Sequence, residues 1–156
     1  MLYAGGAVVR HKLRQEMLHA AAVSARESDG AENLVVMNGK PGYLGSSNVY
    51  LRYLNDGWIS LSGDNTEDSN GWKLVAEFEL EPGSYTFTGL KGAAADTIAL
   101  QLHISDDTGF YRYIYQWDED VRFTIGQSTM AVLHVRVYPN TEDIRMTARP
   151  AVYRDE

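Results

Sequence analysis

The stretch Phe110-Tyr111-Arg112-Tyr113-Ile114-Tyr115-Gln116-Trp117 sets four large rings at every second position. In an extended strand successive side chains point to opposite faces, so Tyr111, Tyr113, Tyr115 and Trp117 share one face and Arg112, Ile114 and Gln116 the other. Facing outward, such rings make a flat amphipathic platform on which a sugar or a protein partner can stack. Facing inward, they are core. Aromatic residues favour strand interiors, so burial is the expectation and the platform its competitor. Trp58 and Trp72 each open a strand beside a polar loop and read as rim core. Together with the aromatic strand they complete the set of candidate ligand-binding residues.

Other chemistry is sparsely signalled. The four histidines, His11, His19, His103 and His134, include no pair at the i, i+4 spacing of a helical zinc site. There is no cysteine, which excludes thiolate metal ligation, iron–sulfur clusters and thiol catalysis and leaves the redox compartment unspecified. The acidic clusters Asp64 to Asp68 and Asp118-Glu119-Asp120 offer oxygen ligands without the regular spacing of a calcium loop, so solvated turns are expected there. No nucleophile elbow, phosphate loop or dinucleotide fingerprint occurs, and the glycines stand where hairpins need them. A glycosidase needs two carboxylates opposed across a cleft at about 5–10 Å, an arrangement that sequence spacing does not reveal. No catalytic residue, cofactor or metal is therefore expected.

The elements that must carry these residues are mostly strands. From His11 to Glu27 the chain holds helix formers without Gly or Pro, and Leu13, Met17, Ala20, Ala21 and Ser24 recur at spacings of three and four. This predicts one N-terminal helix, too short to be stable alone in water. Beyond Gly30 the texture turns to short aromatic and β-branched runs between turn residues. Strands are predicted at Asn33 to Met37, Val49 to Tyr53, Trp58 to Ser62, Trp72 to Leu80, Ser84 to Thr88, Ile98 to Ile104, Tyr111 to Trp117, Val121 to Ile125, Met130 to Tyr138, Asp143 to Thr147 and Ala151 to Tyr153. The Asp56-Gly57 pair supplies the positive backbone angles of a tight hairpin. In the Trp72 strand, alternation puts Trp72, Leu74, Ala76, Phe78 and Leu80 inside and Lys73, Val75, Glu77 and Glu79 in water. In the next strand it puts Tyr85 and Phe87 inward against Ser84, Thr86 and Thr88 outside, and further on it sets Leu100 and Leu102 against Gln101 and His103. The class is all-β: an antiparallel β-sandwich, jelly-roll-like, with one N-terminal α-helix. Residues 1–30 form an arm for attachment or oligomerisation, and residues 31–156 form the sandwich.

With 156 residues, 44% of them hydrophobic, the chain can bury a full core without a disulfide or metal. No stretch approaches the ~20 apolar residues of a membrane span, and Met1 to Arg10 lacks the features of a signal peptide. The charge is polarised: residues 1–26 hold Arg10, Lys12, Arg14 and Arg26 against Glu16, a net of +3, leaving −10 on residues 27–156 to reach the total of −7. An acidic body repels nucleic acid and anionic lipid, while a basic arm seeks an acidic partner surface.

From Val49 to Tyr153, about two thirds of the chain, the order of motifs resembles a β-sandwich domain common in phage and prophage virion proteins of gut Firmicutes and their relatives. The motifs are Tyr53-Leu-Asn-Asp-Gly-Trp-Ile-Ser-Leu-Ser-Gly63, Phe78-Glu-Leu-Glu-Pro-Gly-Ser-Tyr-Thr-Phe-Thr-Gly89, Ala99-Leu-Gln-Leu-His-Ile104, the Tyr111 to Tyr115 strand, Phe123-Thr-Ile125, Val132 to Val137 and Ile144-Arg-Met-Thr-Ala-Arg-Pro-Ala-Val-Tyr153. The family is similar in architecture to carbohydrate-binding modules and brings no catalytic residues. The N-terminal helix lies outside the shared pattern.

The resemblance implies a non-enzymatic virion structural protein, made in the bacterial host cytoplasm and displayed on the virion surface as a capsid decoration, head fibre or tail-associated adhesin. Its partners would be other virion proteins and copies of itself, a trimer being one form; the arm's own basic charge and helical spacing, not the resemblance, make Arg10, Lys12, Leu13, Arg14 and Met17 the expected docking residues. The alternative is a carbohydrate-binding module that takes a host-surface glycan on the aromatic strand. A glycan hydrolase is the third reading. Neither nucleic-acid binding nor membrane insertion is expected.

Overall fold

The structure, a computed structural model, describes residues 32–90, 97–105, 111–117 and 119–155. They form the strands β1 (Gly42–Tyr43), β2 (Tyr50–Tyr53), β3 (Ile59–Asn65), β4 (Gly71–Leu80), β5 (Gly83–Thr88), β6 (Ile98–Ser105), β7 (Tyr111–Gln116), β8 (Val121–Ile125), β9 (Thr129–Val137), β10 (Thr141–Ala148) and β11 (Ala151–Arg154). Pairing is antiparallel throughout and builds three sheets, ordered β1-β2-β3-β10, β4-β9-β6-β7 and β11-β5-β8. The all-β antiparallel class expected from the alternating pattern is the one found. The helix predicted at the N-terminus, with Arg10, Lys12, Leu13, Arg14 and Met17, lies outside the described residues.

All three sheets turn apolar side chains into one continuous cluster. Leu51, Ile59, Leu61 and Ile144 come from the first sheet, Phe78, Leu100, Leu102, Ile114, Leu133 and Val135 from the second, and Phe87, Phe123 and Val152 from the third. Each fully buried large side chain contributes about 1.5–3 kcal/mol over its exposed state, which makes this cluster the main source of stability. The β2–β3 hairpin closes as predicted: Asp56 and Gly57 take φ values of 60° and 80°, and the Leu54 N–H donates to the Trp58 carbonyl at 2.8 Å.

Three local expectations are corrected. Asn33 to Met37 is no strand; it makes a single bridge, Met37 to Ala76, and is tied instead by the Leu34 N–H to the Val152 carbonyl and by the Asn33 side chain to Pro150 and Val152. Thr86 and Thr88 are buried like Tyr85 and Phe87, since β5 is the central strand of its sheet and the Thr86 hydroxyl is taken up by the Asp155 carboxylate at 2.7 Å.

The third correction matters most. The pairing of β4 with β9 slips between Leu74 and Ala76. Val75 is the extra residue of a β-bulge, and a one-residue slip exchanges the two faces of a strand. Ala76, Phe78 and Leu80 stay inside as predicted, but ahead of the bulge Gly71 and Val75 are buried while Trp72 is 43% exposed. The displaced Val75 carbonyl accepts hydrogen bonds from the Asn38 and Gly39 N–H groups, both at 3.1 Å, and the Asn38 side chain pairs with both backbone groups of Glu77. The segment around Asn38 therefore holds the bulge in place, and the bulge sends Trp72 to the outer face.

Candidate functional site on the outer sheet face

The site grows from the direction β7 takes. Its inward residues are Ile114, 7% exposed, and Gln116, fully buried. Ile114 lies opposite Leu102 and joins the core. Burying a carboxamide is costly unless its hydrogen bonds are made. The Gln116 amide donates to the Leu90 carbonyl at 2.9 Å and to the Glu119 carbonyl at 3.1 Å, and its oxygen accepts from the Leu90 N–H at 2.7 Å. With Gln116 seated this way, alternation sends Tyr113, Tyr115 and Trp117 outward. This overturns the expectation that the aromatic side is core: Tyr113 is 50% exposed, and Tyr115 and Trp117 are half-buried. Tyr111 stands opposite Ser105 in the same register.

Rows of paired residues across the sheet define what surrounds the rings. One row runs Leu74, His134, Gln101, Tyr115; the next runs Glu77, Val132, His103, Tyr113. At the other end Arg136 lies between Trp72 and Ala99. The rings are mutually ordered. Tyr115 and Trp117 stack with centroids 5.6 Å apart and planes 9° from parallel, His103 and Tyr113 stack at 4.7 Å, and Trp72 meets His134 edge-on at 5.8 Å. The Arg136 guanidinium carbon lies 5.2 Å from the Trp72 ring centre, 5.7 Å from Tyr115 and 5.1 Å from Tyr138, the range of cation–π attraction. Two hydrogen bonds lock this end: Arg136 Nη1 donates to the Tyr115 hydroxyl at 3.2 Å, and Trp117 Nε1 to the Tyr138 hydroxyl at 3.1 Å.

Polar groups beneath the rings are incompletely satisfied. Gln101 is 1% exposed although it points to the outer side, and its Oε1, like His134 Nδ1 and Arg136 Nε, has no hydrogen-bond partner among the described residues. Each buried group left unpaired costs about 1–3 kcal/mol. Burial lowers the His134 pKa below 6.5, and neighbouring His103 lowers it further, while Glu77 pulls the other way. Rings that can stack, beside donors and acceptors that can pair, are the equipment for holding a flat, polyhydroxylated ligand.

Comparison with known proteins adds little to this picture. No protein-family model and no curated protein matches the chain. Among solved structures it is similar to a chain in the crystal structure of accessory secretory protein 1,2 and 3 in Streptococcus pneumoniae, at 9% identity, covering 80% of this chain and 98% of that one, with a TM-score of 0.48. Neither activity nor partner transfers at that level of likeness.

Of the residues singled out from the sequence, Trp72, Tyr113, Tyr115 and Trp117 come together on this face. Trp58 does not: it sits half-buried in the β2–β3 hairpin of another sheet. The Asp64 to Asp68 turn is engaged locally, Asp64 accepting from the Asp143 N–H and Asp68 from the Asn140 amide, while Asn65 bridges to the Ser69 and Tyr138 carbonyls. Among the described residues no three His, Cys, Asp or Glu side chains stand close enough to share a metal, and no helix is long and apolar enough to cross a membrane. Arg136, His134, Tyr138 and Gln101 were not singled out. A signal existed: from Leu133 to Tyr138 the apolar Leu133, Val135 and Val137 alternate with His134, Arg136 and Tyr138, which puts the latter three on one face.

Proposed function

We propose that this chain is a non-enzymatic binding domain, a jelly-roll-like β-sandwich that holds the sugar rings of a surface glycan against the outer face of β4, β9, β6 and β7. The observation that carries the reading is the outward set of Trp72, Tyr113, Tyr115 and Trp117, pre-ordered by stacking and by hydrogen bonds through Tyr138 and Arg136. Rings fixed before the ligand arrives lose little conformational freedom on binding, so their contact area is converted efficiently into affinity.

The setting we propose is the surface of a phage particle, where the domain acts as a capsid decoration, head fibre or tail-associated adhesin. This rests on the resemblance of the Val49 to Tyr153 motifs to virion sandwich domains and on the charge polarity, which suits a basic arm docked on the particle and an acidic body displayed outward.

A glycan array probed with the labelled full chain tests the binding function. The wild type is expected to bind a defined subset of glycans, and Trp72→Ala and Tyr115→Ala are expected to lose that binding while keeping the strand-type circular dichroism. A folded wild type that binds no glycan on the array overturns the reading.

A further inference from the structure

We propose that the sugar held on this face carries a carboxylate, and that Arg136 is the residue that reads it. The inference rests on the glycan-binding reading above and names its ligand class. Its basis is an arginine left without an anion. The chain has 21 acidic residues against 14 lysines and arginines, so anionic partners are abundant. Arg154 reaches Glu81 at 3.5 Å and Arg145 reaches Asp143 at 3.4 Å, both in exposed positions. Arg136 is half-buried and forms no ion pair among the described residues. Of the five N–H donors of a guanidinium, one is given to the Tyr115 hydroxyl, and Nε finds no acceptor. Three rings hold it in position without neutralising it.

A positive charge partly withdrawn from water and given no counter-charge is a poor choice for stability and a good one for capturing an anion, because the attraction is strongest where water is already excluded. Planar guanidinium also matches carboxylate better than any other cationic side chain. Glu77, the acid in the sheet rows, stands opposite Val132, four residues along β9 from Arg136. At ~3.4 Å per residue that is about 14 Å along the strand, beyond the ~8–10 Å over which exposed charges act in physiological salt. A uronic or sialic sugar fits the arrangement: its C–H face lies on Trp72 and Tyr115, and its carboxylate meets the guanidinium between them.

The test uses matched probes on the full chain: an oligoglucuronate and the same oligosaccharide after carboxyl reduction, a sialylated lactose and lactose itself, and a glutamate peptide of equal charge. The wild type is expected to bind the carboxylated member of at least one pair about tenfold tighter than the neutral member. Arg136→Gln is expected to bring that ratio close to one, whatever it does to the absolute affinity for either sugar, and Arg136→Lys to recover part of it. Competition between the paired sugars on the wild-type protein gives the same ratio should a variant fold poorly. Equal binding of both members overturns the carboxylate inference and leaves the glycan reading standing. Binding of the peptide with no binding of any sugar overturns both.

Discussion

Strands β5 and β7 both place aromatic residues at alternate positions, and they use them in opposite ways. In β5, Tyr85 and Phe87 are buried, Tyr85 stacking on Phe123 at 5.5 Å and donating its hydroxyl to the Glu81 carbonyl. In β7, Tyr113 and Tyr115, with Trp117 just past the strand's end, are turned away from the core. The difference lies less in the rings than in what stands between them and where each strand runs. β5 is the centre of its sheet, flanked by β11 and β8, and the hydroxyls that alternate with its rings fit a covered outer side. β7 is the edge of its sheet, and its alternate residues are Ile114, which joins the core, and Gln116, whose amide is met by both backbone groups of Leu90. A strand with large side chains on both faces can be seated either way. The seating is decided by which set finds its partners.

That contrast can be broken most directly in β5. Phe87→Ala removes a fully buried ring and is expected to destabilise the domain by about 3–5 kcal/mol in urea unfolding; a loss below about 1 kcal/mol would show that the β5 rings are not core. Gln116→Leu tests the cause assigned to the seating of β7. It leaves the Leu90 N–H and carbonyl unpaired, for an expected loss of roughly 2–4 kcal/mol, and an unchanged or raised stability would remove the amide from the explanation.

The outward half of the comparison predicts a small stability effect. Tyr113→Ala, at a half-exposed ring on β7, should change unfolding stability by less than about 1 kcal/mol and weaken glycan binding by about 1–3 kcal/mol. A large fall in the unfolding midpoint would make that ring structural.

The smallest effect is a slope. His134 has its folded-state pKa lowered, chiefly by burial, from an ordinary value of 6.5, so the unfolded chain takes up its proton first. The stability it supports is complete above that ordinary value and is lost as pH falls through the lower, folded value. Between pH 7.5 and pH 5 the wild-type melting temperature should therefore fall further than that of His134→Gln. Parallel curves would mean that the imidazole is as well solvated as in the unfolded chain.

Much of the fold was legible in the alternation of residue types. The strands from Val121 to Ile125 and Ala151 to Tyr153 and the Asp56-Gly57 hairpin follow from period two and turn chemistry, which are local properties. The candidate site was legible only in part. The rings of β7 announce themselves by spacing, but Trp72 reaches them because Val75 is bulged. The only trace of this was one apolar residue, Val75, standing in a polar register between Lys73 and Glu77.

What the sequence determined by itself was therefore the grouping of side chains: which residues of each strand act together, since alternation is a property of the extended backbone and needs no neighbours. Which of the two groups meets the core was left to the tertiary structure. Leu90, distant in sequence, receives Gln116, and Asn38 and Gly39 take the Val75 carbonyl at the free edge of β4. Each decision turns on satisfying a buried polar group, and Leu90 for Gln116 and Asn38 and Gly39 for Val75 lie more than twenty residues away, beyond the reach of any local pattern.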